Sequence, residues 1–353
     1  MGDGSCIFRS RIFFAAGASY DYHCRRKVRT MPTARVAIAR ASGYEHDVVA
    51  AAVSEAVGRC GGWSEYARPG HRVLVKPNCI SVTPAEQHAQ THPAVVAEVC
   101  RQLLDLGARP FVGDSPAWGS LPAAAAKSGL ADLLQRLGVP LVEFRHPVRV
   151  ENAGGRVFSH FTLAREAIEA DAIVNVPKLK THRQLYVTIA IKNMFGCVPG
   201  KRKAWWHFKA GNYEDYFPRM LCEIYALTRP VLTILDAIVA QEGNGPVRGT
   251  PRPVGLVLAS SDAPALERIA CEIIGAEPHR VRTLRAAAEL GIGTPQIDRI
   301  EVVGVPLEAV RLVDYAFPKL LPVGFSLPRV VRSTLKNAWL THLERTQARR
   351  APA

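Results

Sequence analysis

Between Met31 and Gly304, short apolar runs alternate with longer stretches whose apolar residues recur at helical spacing. Residues 35–39, 72–75, 109–112, 140–144, 173–176, 232–235, 255–258 and 300–303 read as strands. Residues 93–106 place Val95, Val96, Val99, Leu103 and Leu106 on one helical face, closed by Gly107. Residues 121–137 read as helix broken at Gly129, residues 266–275 and 281–290 as further helices, and residues 205–229 as a helical insertion. This alternation predicts an α/β fold with a largely parallel sheet and flanking helices over residues 31–304.

The two ends do not share the pattern. Residues 1–30 read as a disordered extension with Met31 as the functional start. A short apolar run, 12–18, only faintly imitates a signal peptide before Cys24-Arg25-Arg26-Lys27. Residues 305–353 carry Pro306, Pro318, Pro322 and Pro328 ahead of a helical stretch and a basic end, and read as a C-terminal appendage. The net charge of +14 is concentrated there: six basic residues face Asp3 and Asp21 in the first thirty, and eight face Glu308, Asp314 and Glu344 after 305. A centre that is only mildly basic argues against the whole chain being a nucleic-acid binder, although either end suits an acidic surface.

No run reaches the roughly 18 apolar residues of a membrane span, so a cytoplasmic protein is expected. The eight cysteines form no C-x-x-C pair, which excludes zinc-ribbon and ferredoxin spacings. Their scatter fits a reducing compartment.

In open α/β sheets, ligands bind beyond the carboxyl ends of the strands. Those ends carry Lys76 and Asn78; Asp114 and Ser115; Lys178, Lys180, Thr181 and His182; Asp236, then Glu242 and Asn244; and finally Ser260, Ser261 and Asp262. In a parallel sheet these groups share one edge and form one cleft. Lysines at several ends favour a phosphate or carboxylate. The segment 173–200 is the densest of these, with Lys178, Lys180, His182, Arg183, Lys192 and Asn193 close together after a buried strand. Asp114 and Asp236 are read either as structural partners of the lysines or as a base or metal ligand.

His182 is read as an acid/base, a metal ligand or a structural residue, and His92 as a helix cap or a cleft residue. Cys197 lies near Lys192 and Lys201, a setting that favours thiolate, yet no dedicated base accompanies it. Residues 201–209 mix cations with Trp205, Trp206 and Phe208. They suit a lid hinged at Gly196 and Gly200, a structural surface, single-stranded nucleic acid, or a membrane interface. Neither a Walker nor a G-x-G-x-x-G phosphate loop is present.

The segments Val75-Lys76-Pro77-Asn78, Thr91-His92-Pro93, Val112-Gly113-Asp114-Ser115, Val176-Pro177-Lys178-Leu179-Lys180-Thr181-His182, Ile191-Lys192-Asn193-Met194-Phe195-Gly196 and Glu242-Gly243-Asn244-Gly245-Pro246 occur in an order and spacing that resemble domain-of-unknown-function family 362. The resemblance runs from about Val36 to Gly304. It implies an association with a [4Fe–4S] cluster, because many relatives carry a ferredoxin-like segment after the α/β part. The last cysteine here is Cys271, so that segment's thiolates are absent. A second departure is Glu267, where relatives commonly carry aspartate. At fold level the family is similar to the lactate-racemase group, whose members use a nickel-bearing nucleotide; no matching ligand set carries over.

The expectation is therefore an enzyme that binds a small anionic ligand. Lys178, Lys180, His182, Asp114 and Asp236 would do the chemistry, and Lys76, Asn78, Ser115, Thr181, Lys192, Asn193, Glu242 and Asn244 would line the cleft. The alternative is a redox accessory or adaptor that uses its basic ends and aromatic segment on a redox protein partner, a membrane or a nucleic acid.

Overall fold

The computed structural model describes residues 34–321, apart from 201, 212 and 214. The expected N-terminal extension and the appendage beyond 321 lie outside the described residues.

The amino-terminal half runs β1 (Ala34–Arg40), α1 (His46–Arg59), β2 (Arg72–Pro77), α2 (Pro93–Asp105), β3 (Arg109–Asp114), α3 (Leu121–Ser128), α4 (Leu130–Leu137) and β4 (Leu141–Glu143). A hairpin of β5 (Pro147–Glu151) and β6 (His160–Ala164) follows, then α5 (Arg165–Ile168), β7 (Ala172–Val176), β8 (Lys178–His182), β9 (Tyr186–Thr188) and α6 (Ala190–Asn193). The remainder is α7 (Arg202–Gly211), α8 (Tyr216–Thr228), β10 (Leu232–Glu242), β11 (Thr250–Ser260), α9 (Ala263–Ile273), α10 (Arg282–Leu290) and β12 (Ile300–Gly304).

Ten strands form one mixed, mostly parallel sheet in the order β12-β1-β11-β10-β7-β2-β3-β4, with β8 also paired to β10 and β9 to β8. The period-two alternation of each strand divides its apolar residues between two layers. Val73 and Val75 of β2 face α1, α2 and α4, where Val53, Val96, Leu103 and Leu134 are buried. Leu74, between them, faces the opposite layer with Phe111, Ile173 and residues of α6, α8, α9 and α10. Each such side chain contributes roughly 1.5–3 kcal/mol on burial. The predicted α/β class and the insertion, here α7 and α8, are both present.

One strand runs against expectation. β11 is antiparallel to β10 and to β1. β10 and β11 are the two arms of a long hairpin, so the chain doubles back instead of crossing over. Ser260 consequently lies beside Thr233, at the start of β10. The group Ser260-Ser261-Asp262 therefore sits on the edge opposite to the other strand ends. There Asp262 caps α9, accepting from the Ala265 amide at 2.9 Å.

Gly113 in β3 lies against the Phe144 ring. A Cβ there would sit 2.5 Å from a ring carbon and 3.0 Å from a Leu74 methyl. Gly113→Ala is expected to destabilise the protein by about 1–3 kcal/mol through overpacking. Urea denaturation reads this directly, and an unchanged midpoint would count against this packing.

Candidate functional site

The carboxyl ends of β2 and β3 lie side by side, because Val75 pairs with Val112 in parallel register. Lys76 is fully buried, and its Nζ lies 2.9 Å from Asp114 Oδ1. The Asp114 carboxylate also accepts from the backbone N–H groups of Cys79, at 2.9 Å, and Ser115, at 2.8 Å. Gly196 packs directly on this pair. A Cβ there would fall 2.2 Å from Asp114 Oδ1 and 2.4 Å from Lys76 Nζ. Gly196 is thus a close-approach glycine, and the expectation of a lid hinge at this position gives way to packing.

The predicted strand ends at Val176, with Lys178, Lys180, Thr181 and His182 beyond it. Instead Pro177 interrupts it for one residue and β8 continues. β7 and β8 lie in succession along the same flank of β10, which pairs with Val174 and Asn175 and then with Lys178 and Lys180. Strand alternation puts Lys178 and Lys180 on one side and Leu179 on the other. Lys178 Nζ donates to Asp236 Oδ2 and to the Tyr44 hydroxyl oxygen, both at 2.8 Å. Tyr44 in turn donates to Asp236 Oδ1 at 3.0 Å, and the His92 backbone N–H reaches Asp236 Oδ2 at 2.9 Å. Burial works to raise the Asp236 carboxyl, but the Lys178 ammonium overrides it and holds the group below its ordinary value. Asp236 lies inside β10 rather than after it, since that strand runs on to Glu242.

Lys180 is the exception among the buried lysines. It is 1% exposed, yet no carboxylate lies within ion-pair distance of it among the described residues. Its Nζ donates to Asn78 Oδ1 at 2.7 Å and to the Ala89 carbonyl. Neutral acceptors do not balance a buried charge, so burial, with Lys192 and Lys178 nearby, drives Lys180 well below its usual value. Asn78 Nδ2 passes the network to Asn193 Oδ1 at 3.0 Å, and Asn193 Nδ2 donates to Asn175 Oδ1 at 2.8 Å and to the Lys76 carbonyl at 3.1 Å. Thr181 points to the hairpin side, donating to Gly243 O at 2.9 Å.

Three further groups keep some contact with solvent: His182 and Lys192 lie beside Lys180, and Lys203 lies beyond Lys192, near Lys76 and Asp114. Burial, then Lys192 and Lys180, holds His182 well below its ordinary value, and its Nδ1 accepts from the Gln184 amide at 3.1 Å. Burial, with Lys76 adding to it, lowers Lys192 to about 8. Burial lowers Lys203 to about 7; Asp114 opposes this, while Lys76 and Lys192 reinforce it. Lys203 belongs to α7, and its Nζ donates to the Ser115 carbonyl, while Ser115 Oγ accepts from the Gly200 amide at 2.9 Å. The segment that suited a lid is therefore a helix already seated over the strand ends.

Several expected residues stand apart from this cluster. The Glu242 carboxylate turns away to the Ala316 amide, and Asn244 is exposed. Cys197 is buried, which pushes its thiol up to about 12, so the electropositive setting does not yield a thiolate. His92 caps α2, its Nδ1 accepting from the Ala94 amide, and its ring stacks on Tyr44 with centroids 3.6 Å apart. Among the described residues no group of three or more His, Cys, Asp or Glu side chains has the arrangement to hold a metal ion. Tyr44 was missed although it follows β1, whose carboxyl end shares the same edge.

The model of the domain of unknown function DUF362 matches residues 73–272, more than half of the chain. The chain belongs to the DUF362 family. Within the curated proteins, the thylakoid-associated protein sll1697 of Synechocystis is 40% identical over 312 residues, covering 86% of this chain and 94% of that protein. This relative overturns the expectation of a cytoplasmic protein. No helix of the described residues is long and apolar enough to cross a membrane. The lactate racemase apoprotein of Thermoanaerobacterium thermosaccharolyticum is similar with a TM-score of 0.48 and 12% identity, covering 70% of this chain; the chain spans 58% of that structure.

Glu267, in α9, is buried and accepts from the Ile191 amide at 2.7 Å and from Thr283 Oγ1 at 2.9 Å. It thereby holds the start of α6, the short helix that carries Lys192 and Asn193. Burial raises its carboxyl to about 7, and the hydrogen bonds oppose that rise. A carboxyl raised on folding favours the native state only while protonated. Its ionisation cost is absent below the unfolded value and complete above pH ~7, on the order of 3 kcal/mol. Glu267→Gln removes the titration; its Oε1 can still accept from the Ile191 amide, and its Nε2 donates to Thr283 Oγ1 once that hydroxyl rotates to accept. Wild type is therefore expected to lose stability relative to the variant between pH ~5 and ~8. Thermal unfolding of both proteins across that range tests this, and parallel curves would refute it.

Proposed function

We propose that this protein binds a small anionic ligand, a carboxylate or a phosphate, at Lys180, Lys192 and Lys203, and acts on it as an enzyme. The observation that carries this reading is Lys180, a buried amine held by neutral acceptors with Lys192 nearby and Lys203 next beyond Lys192, neither of which has an ion-paired carboxylate among the described residues. Two carboxylates serve five lysines, and both are committed, Asp114 to Lys76 and Asp236 to Lys178. An anion supplies the missing negative charge. Ser81 Oγ, Thr83 Oγ1 and Gln90 Oε1, in the loop whose Ala89 carbonyl holds Lys180, are buried without a partner, which supports a polar ligand or water there.

In this reading Asn78 and Asn193 orient the ligand by fixing Lys180 and Lys76. Asp114 and Asp236 act by holding lysines in place. Lys192 and Lys203, with values near neutrality, and His182 beside them are suited to give or take a proton. The thylakoid association of the 40% identical relative supports a working position at a membrane surface.

Because the anion prefers charged lysines, binding raises their values and takes up protons. Affinity is expected to be highest below pH ~7 and to fall as pH rises past ~8, by up to about tenfold per unit for each proton. Calorimetric titration with inorganic phosphate and with succinate, in buffers of different ionisation enthalpy, measures both affinity and proton uptake. Lys180→Ala is expected to weaken binding at least tenfold and to lower the urea midpoint without unfolding the protein, since the cavity and the unpaired Asn78 and Ala89 acceptors outweigh the relief of an unbalanced buried amine. Unchanged affinity for both probes in Lys180→Ala would remove the lysine cluster as the ligand site.

A further inference from the structure

Helix α7 has two dissimilar faces. Trp206 and Ala210 are buried, with the Trp206 ring against Phe158 and Phe161 at 5.0 and 5.1 Å, and Lys203 reaches the Ser115 carbonyl. The outward face carries Arg202, Trp205 and Lys209, at i, i+3 and i+7, so they form one stripe. Tyr213 follows just beyond the helix. Trp205 is 59% exposed and Tyr213 62%, the most exposed large aromatic side chains among the described residues. The helix, RKAWWHFKAG, contains no acidic residue. Beside it opens a cleft of about 460 Å³ between Phe158, His160, Lys209, Tyr213 and Tyr216, with aromatic walls and the Lys209 ammonium over the Phe158 and Trp206 rings.

We infer that this stripe is a docking surface for an anionic lipid bilayer. Tryptophan and tyrosine settle at the headgroup boundary, where an apolar ring and a polar edge are both satisfied. Arginine and lysine beside them add electrostatic attraction to anionic headgroups. The cleft at the Lys209 end accepts a headgroup whose phosphate meets the ammonium. Docking here sets the opposite face of α7, and with it Lys203, on the membrane side of the anion site. The inference rests on the membrane-surface position proposed above and adds the residues that make the contact.

Sedimentation of the full chain with phosphatidylcholine vesicles, with and without phosphatidylglycerol, tests it. Wild type is expected to bind the anionic vesicles more strongly, with binding weakened by salt, and Trp205 emission is expected to shift to the blue; Trp205→Phe identifies that signal. Arg202→Glu with Trp205→Ala is expected to lower vesicle affinity on the order of tenfold. Both side chains are exposed, so unfolding curves and phosphate binding should match wild type. Wild type failing to bind either vesicle overturns the membrane position itself. Wild type binding while the double variant binds equally well overturns the stripe and leaves the position standing. Binding of a single-stranded oligonucleotide that depends on Trp205, without vesicle binding, also overturns the inference and assigns the surface to nucleic acid.

Discussion

Keeping ammonium groups away from water is the constraint on which this fold turns. An uncompensated buried charge costs several kcal/mol even after relaxation, and Lys76, Lys178 and Lys180 are all within 1% of complete burial. Two of the three are neutralised by carboxylates on neighbouring strands. Those carboxylates are themselves anchored by backbone N–H groups from Cys79, Ser115 and His92. The third has only an amide and a carbonyl. The loop over residues 78–92, the amides of Asn78, Asn193 and Asn175, and the bare backbone of Gly196 are arranged around these amines.

The sheet makes such burial feasible. Parallel neighbours end together, so Lys76 and Asp114 meet without a long reach. Pro177 has no N–H to give to a ladder, and it separates β7 from β8 so that one flank of β10 is lined first by an apolar strand and then by a cationic one. The Pro177 carbonyl still accepts from the Asp236 amide, at 3.0 Å, which carries the sheet across the break. Lys178 and Asp236 are thus cross-strand partners in register, and their separation is set by backbone geometry rather than by flexible side chains.

How much of this is legible in the sequence follows from the same physics. Buried parallel strands such as 72–75 and 173–176 are short, mostly apolar runs bounded by polar residues, and they stand where expected. Residues 178–182 fall outside the predicted strand because alternating lysines on a buried strand contradict ordinary strand composition. Only a dedicated set of partners reverses that rule, and those partners are remote in sequence. The reversed direction of β11 was equally hidden, since a short apolar run carries no sign of its orientation; the hairpin joining it to β10 does. The β5–β6 hairpin had a readable signal: Val148 and Val150 alternate with polar residues, as do Phe161 and Leu163, across the turn Asn152-Ala153-Gly154-Gly155. Tyr44 follows the carboxyl end of the first strand, so its place at the same edge was legible in the sequence.

The length of chain between partners has a consequence for biosynthesis. Tyr44 and Asp236 are 192 positions apart, and Lys180 and Asn78 are 102 apart. While the polypeptide is being synthesised, β2, β3, β7 and β8 all emerge before the residue that neutralises Lys178. Contacts this distant in sequence close late and slowly. A partly made chain therefore carries cationic strands that cannot yet pack, and they stay hydrated until β10 arrives. Completion of the lysine cluster and completion of the sheet are one event, so nascent fragments carry no assembled cluster.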